Sequence, residues 1–487
     1  RRTAVSARGG GAPRAEVPKI SHSCGAPRRR AARGSPKTPT LRSKHRGRLR
    51  FGDSTNIGTL AGFHRMLEIM ATEDLTIAAG SPSGNQVSSV DVPRVDAART
   101  PIDMTRIGAL AERASSMVEQ IRAKLLAPEV RKIAPHYSTA QLATLCAVDK
   151  SHLNYRIGKG DLPTGKLSPN GGKREFSLSD ARRWTRAYRQ AKMRPAGQKA
   201  ITVAVGNFKG GVSKTTSAMI LAQGLSLRGH RVLAVDTDPQ GSLTTLHGIL
   251  PETEVDADMT IGPLCDGSES DIRYAIRSTY WEGIDLVAAA PFLFSAEFAL
   301  PARQMRDPTS RFWDVLNAGL ESVRGLYDVI VIDTPPSLSY VTINALWAAD
   351  GLVVPVPPSG LDFASSAQFW SLLSDLGTNL DKQETLGSRK TFDFLHVLLS
   401  RVDQADAAAP AVRQWIAATY GEYMLPVEIP KTTVTSNKAA EFATVYDVQK
   451  YDGAAKTYKR AADAYDRFVE LVEESVVETW RGRAASK

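Results

Sequence analysis

Short apolar runs alternate with amphipathic segments from about residue 200 to residue 480. The runs are rich in β-branched residues and end in glycine or polar residues, as buried strands do. Strands that alternate with helices are typical of a parallel sheet covered by helices. We therefore predict an α/β domain over residues 200–480. Its predicted strands include 201–205, 352–356, 394–399 and two that end at Asp236 and Asp333.

Residues 103–126 show a helical pattern instead. Apolar residues recur there at three- and four-residue steps, close to a heptad seam, at Ile107, Leu110, Ala114, Met117, Ile121 and Leu125. Because no obvious partner helix precedes this segment, we predict a dimerisation helix over residues 103–130. The alternative is a helix that packs on its own domain.

Between residues 135 and 194 the pattern predicts two short helices separated by a tight turn. Ser138 is a suitable N-cap for the first helix, and the second begins at Lys150 after the turn at Val148–Asp149. A Gly/Pro-rich stretch and an amphipathic segment then follow, as a wing and a closing helix would. The spacing favours a mainly helical, winged helix-turn-helix domain, although a purely structural helical domain could imitate it.

The second helix of this unit carries side chains that can contact base edges and phosphates. They are Lys150, Ser151, His152, Asn154 and Arg156. We therefore predict that residues 135–194 form a DNA-binding domain and that these five residues contact the DNA.

The net charge of +11 over 487 residues suggests nucleic-acid binding until the charge is located. The first 50 residues hold fifteen Lys and Arg against Glu16 alone, a balance of +14, which leaves −3 for the rest of the chain. Residues 1–100 are rich in Arg, Gly, Pro and Ser, so we predict a disordered basic leader. It is either a DNA-binding arm or a segment upstream of the natural start. Any DNA affinity of the folded part must come from local patches.

The three cysteines, Cys24, Cys146 and Cys265, are too few and too scattered for a disulfide framework or a zinc cluster. This cysteine content favours a reducing, cytoplasmic location. No apolar run approaches the length that a membrane-spanning helix needs. We therefore expect a cytoplasmic protein without a membrane partner.

The stretch 203–216 reads V-A-V-G-N-F-K-G-G-V-S-K-T-T, which predicts a strand, a glycine-rich turn and a helix start. Backbone N–H groups of such a turn and the helix N-terminus bind phosphate. Lys214 would supply charge to the β- and γ-phosphates, and the Thr215 hydroxyl a magnesium ligand. The usual G-x-x-x-x-G-K-[ST] pattern is incomplete, because Phe208 and Ser213 stand where it has glycine.

Two later strands end in carboxylates. R-V-L-A-V-D-T-D-P-Q brings Asp236 and Asp238 to the end of one strand, and Y-D-V-I-V-I-D-T-P-P brings Asp333 to the end of another. Ligands bind at the carboxyl ends of the strands in open parallel sheets. We predict that Asp333 lies opposite Thr215 and holds magnesium through water.

The three motifs, K-G-G-x-x-K-T with its extra Lys209, D-x-D-P-Q and D-T-P-P, together resemble ParA-type partition ATPases of the deviant Walker A, or ParA/MinD, class. The resemblance covers roughly residues 200–470 and implies a P-loop NTPase fold. It also implies that Lys209 reaches the phosphates of a second chain in a nucleotide-sandwich dimer. By the same resemblance Asp238 orients or activates the attacking water, and Asp236 helps to hold the magnesium shell.

The resemblance gives a set of expected site residues. The expected nucleotide-binding residues are Lys209, Gly210, Gly211, Val212, Ser213, Lys214, Thr215 and Thr216. The expected catalytic residues are Lys209, Lys214 and Asp238. The expected metal-binding residues are Thr215, Asp236 and Asp333. In relatives the late strand and its loop contribute to the adenine pocket and to non-specific DNA binding. Lys431 and Lys438 are therefore candidate DNA contacts, with solvated surface lysines as the alternative.

The N-terminal unit is similar to the MerR-like or winged domains of the larger ParA subclass. This likeness implies ATP and Mg²⁺ as cofactors, and slow ATP hydrolysis in a homodimer that binds DNA non-specifically. It implies a centromere-binding ParB-type partner that stimulates hydrolysis, and operator binding that represses the protein's own operon. The expected role is partition of a plasmid or secondary chromosome by a nucleoid-associated cytoplasmic protein.

Several other classes of protein fit the sequence less well. A MinD-like positioning ATPase needs a basic amphipathic C-terminal helix, whereas this tail carries glutamates near its apolar face, among them Glu473. A nitrogenase-reductase-like carrier needs a cysteine pair that three scattered cysteines do not provide. The predicted DNA-binding domain argues against a cobyrinate-synthase-type amidoligase. A DNA-binding regulator with a nucleotide switch is the remaining alternative.

Overall fold

The computed structural model describes residues 102–125, 132–167, 172–381, 390–431, 443–448 and 455–485. All of them belong to one compact unit of the chain, 83–487. The predicted basic leader, the end of the predicted dimerisation helix and Lys438 lie outside the described residues.

The first described element is helix α1 (Met104–Leu125), which agrees with the helical pattern of the sequence. The side chains of its residues 104–117 are exposed, and Leu110 keeps 54% of its surface. The seam residues up to Met117 (Ile107, Leu110, Ala114 and Met117) therefore face solvent in the single chain.

A small unit follows, in which two helices and a hairpin are joined by short turns. Its elements are β1 (Tyr137–Ser138), α2 (Thr139–Leu145), α3 (Lys150–Lys159), β2 (Lys166–Leu167), β3 (Arg174–Phe176) and α4 (Leu178–Tyr188). The strands form an antiparallel sheet in the order β1-β3-β2. Ser138 caps α2 in a capping box with Gln141, and Asp149 caps α3 by accepting the N–H of His152 at 2.7 Å.

An eight-stranded sheet forms the larger part of the fold. Its strands are β4 (Ile201–Val205), β5 (Val232–Asp236), β6 (Arg277–Ser278), β7 (Ile284–Val287), β8 (Val329–Asp333), β9 (Gly351–Val356), β10 (Phe394–Val402) and β11 (Met424–Pro430). The order is β11-β10-β9-β4-β8-β5-β7-β6, and every pair is parallel except β6–β7. The predicted parallel P-loop NTPase sheet with flanking helices is confirmed.

Helices cover both faces of this sheet. They are α5 (Lys214–Leu227), α6 (Ser242–Leu246), α7 (Gly262–Asp266), α8 (Ala296–Arg306), α9 (Val315–Glu321), α10 (Tyr340–Ala348), α11 (Gly360–Asp381), α12 (Ala409–Tyr420) and α13 (Ala455–Ala485). Single 3₁₀ turns lie at 190–192, 257–259, 272–275, 291–295 and 421–423. No described helix combines the length and the apolar character that crossing a bilayer requires.

The hydrophobic core has two parts, one on each face of the sheet. On one face, α5 and α13 pack so closely that a Cβ at Gly224 would lie 2.6 Å from the Val469 side chain. The buried residues of the N-terminal unit, Trp184 among them, join the core on this face. Helix α5 therefore starts at the phosphate loop and ends against the N-terminal unit.

Candidate nucleotide-binding site

The loop 206–213 leads from β4 directly into α5. Gly211 and Ser213 both adopt positive φ, +73° and +77°, which turns the chain back toward the helix start. Glycine takes this conformation freely, whereas a residue with a Cβ is strained in it. Ser213 makes no side-chain cap hydrogen bond that would offset the strain. Serine thus replaces the glycine of the motif at a position where the backbone is left-handed.

Phe208, the other departure from the common motif, anchors the loop. Its ring packs edge-on against Phe369 of α11, with centroids 4.7 Å apart. Beside it, the Asn207 amide donates to the carbonyl of Pro355 at 2.9 Å and accepts the N–H of Lys209 at 3.1 Å. The start of the loop is therefore fixed to the end of β9 and to α11.

Strand β10 holds the other side of the loop. Ser400 donates its hydroxyl hydrogen bond to the carbonyl of Val212 at 2.9 Å, and the Arg401 guanidinium donates to the carbonyl of Gly211. Arg401 itself has φ +52°, an uncommon value for a residue with a side chain. Neither residue could be singled out from the sequence, since both lie about 190 positions after the loop and carry no motif.

The two loop lysines point in different directions. The Lys214 ammonium is buried and donates to the carbonyl of Lys209 at 2.9 Å. Burial lowers the pKa of Lys214, while Asp333 and Asp238 act in the opposite direction. The Lys209 ammonium lies 2.5 Å from a carboxylate oxygen of Asp362 at the start of α11. Of the two loop lysines, only Lys214 lines the cavity that lies over the loop.

Asp333 stands at the end of β8, in register with Val205 of β4. It is fully buried, and neither carboxylate oxygen has a hydrogen-bond partner among the described residues. Burial raises the pKa of Asp333 well above its ordinary value; Asp236 adds to this, while the nearby Thr215 hydroxyl and Lys214 oppose it. A buried carboxylate without a partner is costly unless a cation or water satisfies it.

Asp333 and Thr215 together fit a magnesium ion. Magnesium is commonly bound through one or two carboxylates plus substrate phosphates and waters, rather than in an all-protein cage. Within the described ranges, no group of three or more His, Cys, Asp or Glu side chains could hold a metal ion.

Asp236, a predicted metal residue, is occupied by protein hydrogen bonds. One carboxylate oxygen accepts the Thr244 N–H at 2.8 Å and the Thr244 hydroxyl at 2.7 Å, and the other accepts the N–H of Asp238 at 3.1 Å. Burial raises the pKa of Asp236 to about 7, against the effect of the Thr244 hydrogen bonds. Asp236 thus fixes the loop that carries Asp238, and contact with a magnesium shell stays a prediction.

A cavity of about 580 Å³ lies over the loop, a size suited to a small-molecule ligand. Of the predicted nucleotide-binding residues, Gly210, Gly211, Ser213, Lys214, Thr215 and Thr216 line it, as does Asp238. Val212 is buried and does not line it. Lining residues that the sequence analysis did not single out are Gln240, Ser242, Thr245, Leu246, Pro336, Arg401, Ile429, Pro430 and Tyr465.

Lys431, a predicted DNA contact, also lines this cavity, at the end of β11. Its ammonium lies 3.1 Å from a carboxylate oxygen of Asp403, and about half of its side chain is exposed. Its role in DNA binding stays a prediction.

A larger cavity of about 810 Å³ lies at the opposite edge of the sheet, next to Lys199 and Phe394. There Arg483 pairs with both Asp350 and Asp393 at 2.6 Å. This cavity is at the amino ends of the strands, whereas ligands of open parallel sheets bind at the carboxyl ends. The smaller cavity over the loop is therefore the candidate site.

The predicted DNA contacts of the N-terminal unit all lie on α3, and all but Arg156 are exposed. Lys150, Ser151, His152 and Asn154 are exposed, and the helix is held from beneath by Leu153 and Ile157. Arg156 lies 2.5 Å from Asp161, and its guanidinium lies over the Tyr188 ring. Four of the five predicted residues are thus presented to solvent on one helix.

Comparison with known proteins extends this picture. The AAA domain family matches residues 200–385. The putative replication protein A of Sinorhizobium fredii is 31% identical over 373 residues, covering 74% of this chain and 90% of that protein. The chromosome-partitioning ATPase Soj of Thermus thermophilus is 30% identical over 266 residues, covering 54% of this chain and 95% of Soj. The chain belongs to the ParA-type family of partition ATPases.

Other relatives agree with the ParA-type assignment. Protein SopA of Escherichia coli strain K12 is 29% identical over 328 residues, covering 66% of this chain and 82% of SopA. A solved structure described as a partition protein aligns with a TM-score of 0.55 at 19% identity, covering 78% of this chain and 100% of that one. At that identity the structural match supports the fold alone.

Proposed function

We propose that this ParA-type protein binds ATP and Mg²⁺ in the cavity over the loop and hydrolyses ATP to ADP and phosphate. The observation that carries the proposal is the buried, unpartnered carboxylate of Asp333 beside Thr215 and Lys214. A cation bound to a nucleotide would satisfy that carboxylate. Phosphoryl transfer to water depends mainly on charge neutralisation and alignment, which this set of groups provides.

Each group has a distinct part in that reaction. Lys214 would leave the carbonyl of Lys209 and bind the β- and γ-phosphates, while loop N–H groups bind the same anion. Thr215 and Asp333 would hold magnesium, which neutralises phosphate charge when bound. Asp238, at the cavity edge, would orient the attacking water. Lys209 would reach the phosphates of a second chain in a nucleotide-sandwich dimer.

The N-terminal part would add DNA binding and self-association. The exposed residues of α3 support operator recognition, with autorepression of the protein's own operon as the consequence. The exposed apolar residues of α1 support a dimerisation role for that helix. In this proposal a ParB-type centromere-binding protein stimulates hydrolysis. The ATP-bound dimer binds nucleoid DNA non-specifically, with Lys431 and Lys438 as candidate contacts, and the cargo is a plasmid or a secondary chromosome.

Phosphate release by the full chain tests the enzymatic proposal, measured with ATP in the presence and absence of Mg²⁺. We expect slow, magnesium-dependent turnover that is lost in Lys214→Ala together with ATP binding. A matched control is Lys199→Ala, since Lys199 pairs with Glu321 at the opposite edge of the sheet. Turnover that persists in Lys214→Ala would show that the loop is not the hydrolytic site.

A further inference from the structure

The Lys209 side chain is held within its own chain by a carboxylate that no motif predicts. Its ammonium lies 2.5 Å from a carboxylate oxygen of Asp362, whose side chain is only 15% exposed. The other Asp362 oxygen accepts a hydrogen bond from the Ser359 hydroxyl, and Ser359 accepts the Asp362 N–H at 3.3 Å. Asp362 is thus fixed in the first turn of α11, pointing at the phosphate loop.

The same lysine is linked to the phosphate site through its main chain. The carbonyl of Lys209 accepts the hydrogen bond from the Lys214 ammonium at 2.9 Å. Two contacts are therefore linked through Lys209. The Lys214 ammonium contacts the Lys209 carbonyl, and the Lys209 ammonium contacts Asp362. An anion that binds Lys214 removes the first contact, so the main chain at Lys209 loses one of its two restraints and keeps the hydrogen bond from its N–H to the Asn207 side chain.

We propose that Asp362 is a positioning residue that keeps Lys209 in its own chain until nucleotide binds, and so makes dimer closure depend on ATP. The inference rests on the proposed sandwich dimer, in which Lys209 must reach the phosphates of a second chain. A Lys209 ammonium at 2.5 Å from Asp362 is confined to its own chain. Loss of the Lys214 contact on ATP binding lowers the cost of releasing it.

The strength of the Lys209–Asp362 ion pair depends on how much of it is exposed to solvent. About a third of the Lys209 side chain is exposed, so solvent screens the pair. Partly exposed ion pairs are typically worth up to about 1 kcal/mol, which corresponds to about a fivefold change in an equilibrium constant. We therefore expect Asp362→Asn to change Lys209-dependent equilibria by about two- to fivefold.

The ion pair can be tested without reference to dimers, by labelling amines of the nucleotide-free full chain with an acetylating reagent and measuring the rate at Lys209 by mass spectrometry. We expect Asp362→Asn to raise the Lys209 rate about two- to fivefold, with Lys199 as the internal reference. Asp362→Glu should return the rate toward that of the unmodified chain. An unchanged Lys209 rate in Asp362→Asn would overturn the proposal.

Dimer closure is tested by sedimentation velocity with ATP and Mg²⁺. Asp362→Asn should lower the ATP concentration that gives half-maximal dimer by the same factor of about two to five. In a Lys209→Ala background, where dimerisation with ATP is itself expected to be lost, Asp362→Asn should restore no dimer. The control is Asp375→Asn, an exposed carboxylate on the same helix, which should change nothing. Unchanged or weaker dimerisation of Asp362→Asn would contradict the inference.

The two assays separate the inference from the function on which it rests. If the unmodified chain does not dimerise with ATP, the sandwich-dimer proposal fails, while the labelling rate still decides whether Asp362 holds Lys209. If the unmodified chain dimerises and Asp362→Asn gains nothing, the proposed function stands and the role of Asp362 is wrong.

Discussion

Asp333 and Asp236 occupy directly paired positions on the adjacent parallel strands β8 and β5. Both are fully buried, yet only Asp236 is saturated by protein hydrogen bonds. The carboxylate oxygens of Asp333 have no such partner in the part of the chain that the structure describes. From this difference we infer a structural task for Asp236 and propose a ligand-binding one for Asp333.

Substitution of Asp333 by Asn should leave the fold in place and weaken magnesium-dependent activity. Residues that hold a metal through water typically change metal affinity or activity by about 10- to 100-fold when replaced. We expect that loss in ATP turnover, with a higher Mg²⁺ concentration for half-maximal rate. The control is Asp314→Asn, a carboxylate just before α9 whose side chain is 22% exposed. Full turnover at unchanged magnesium dependence would exclude Asp333 from the metal site.

Replacement of Lys209 by Ala should separate ATP binding from closure. The nucleotide-binding cavity is lined by Lys214 but not by Lys209, so ATP binding by the single chain should be retained. Dimerisation with ATP and hydrolysis should both be lost, because the ammonium for the second chain is missing. Equilibrium binding of a fluorescent ATP analogue and phosphate release measure the two properties. Normal turnover of the variant would remove the sandwich-dimer assignment.

Ser213→Gly should stabilise the protein. The left-handed conformation costs a residue with a side chain about 1–2 kcal/mol, a cost that glycine avoids. Glycine, however, loses about 0.5–1 kcal/mol more in backbone entropy on folding. We expect a net gain of roughly 0.5–1 kcal/mol in the free energy of unfolding by urea, with ATP binding retained. Ser213→Ala keeps the Cβ and removes the hydroxyl, so it should gain nothing. Equal gains in both variants would show that the φ of +77° is not the cause.

Glu473 should make stability depend on acid pH. This buried glutamate of α13 lies 2.9 Å from His230 and also pairs with Arg189, at the end of the N-terminal unit. Burial alone would raise the pKa of Glu473. The hydrogen bond and charge of His230, together with the charge of Arg189, outweigh burial and lower this pKa to about 2. A lowered pKa means that the stabilisation is complete above the ordinary value of 4.5 and is lost as pH falls toward 2.

The measurement is thermal or urea unfolding of the full chain and of Glu473→Gln between pH 6 and pH 3.5. The difference between them should be constant above about pH 5 and shrink by up to about 1.4 kcal/mol per pH unit below pH 4.5. Glu478→Gln on the same helix is the control. A difference that does not change with pH would show that the Glu473 charge is not what stabilises the contact.

The fold and the centre of the site could be predicted because their signals are local. Buried strands, the glycine turn and the carboxylates at strand ends are each contained in a few consecutive residues, and parallel strands bring those ends together. Arg401, Asp362 and Thr244 could not be predicted, since they approach the loop and Asp236 from distant segments without a motif.

The tail glutamates illustrate the same limit. From the sequence, the charge of Glu473 indicated only that α13 is not a membrane-binding helix. In the structure it is buried and joined to His230 and Arg189, two residues far away in sequence. A charge in a helical pattern does not reveal its partner, because the partner depends on how distant segments pack.

The most direct test of the account is binding of the purified full chain to random duplex DNA with ATP, with ADP and without nucleotide. The salt concentration must be fixed, because it sets the affinity of such complexes. We expect binding with ATP and Mg²⁺ and little binding in the other two conditions. Binding that is indifferent to nucleotide would contradict an ATP-dependent, DNA-bound partition cycle and would leave the loop with a different role.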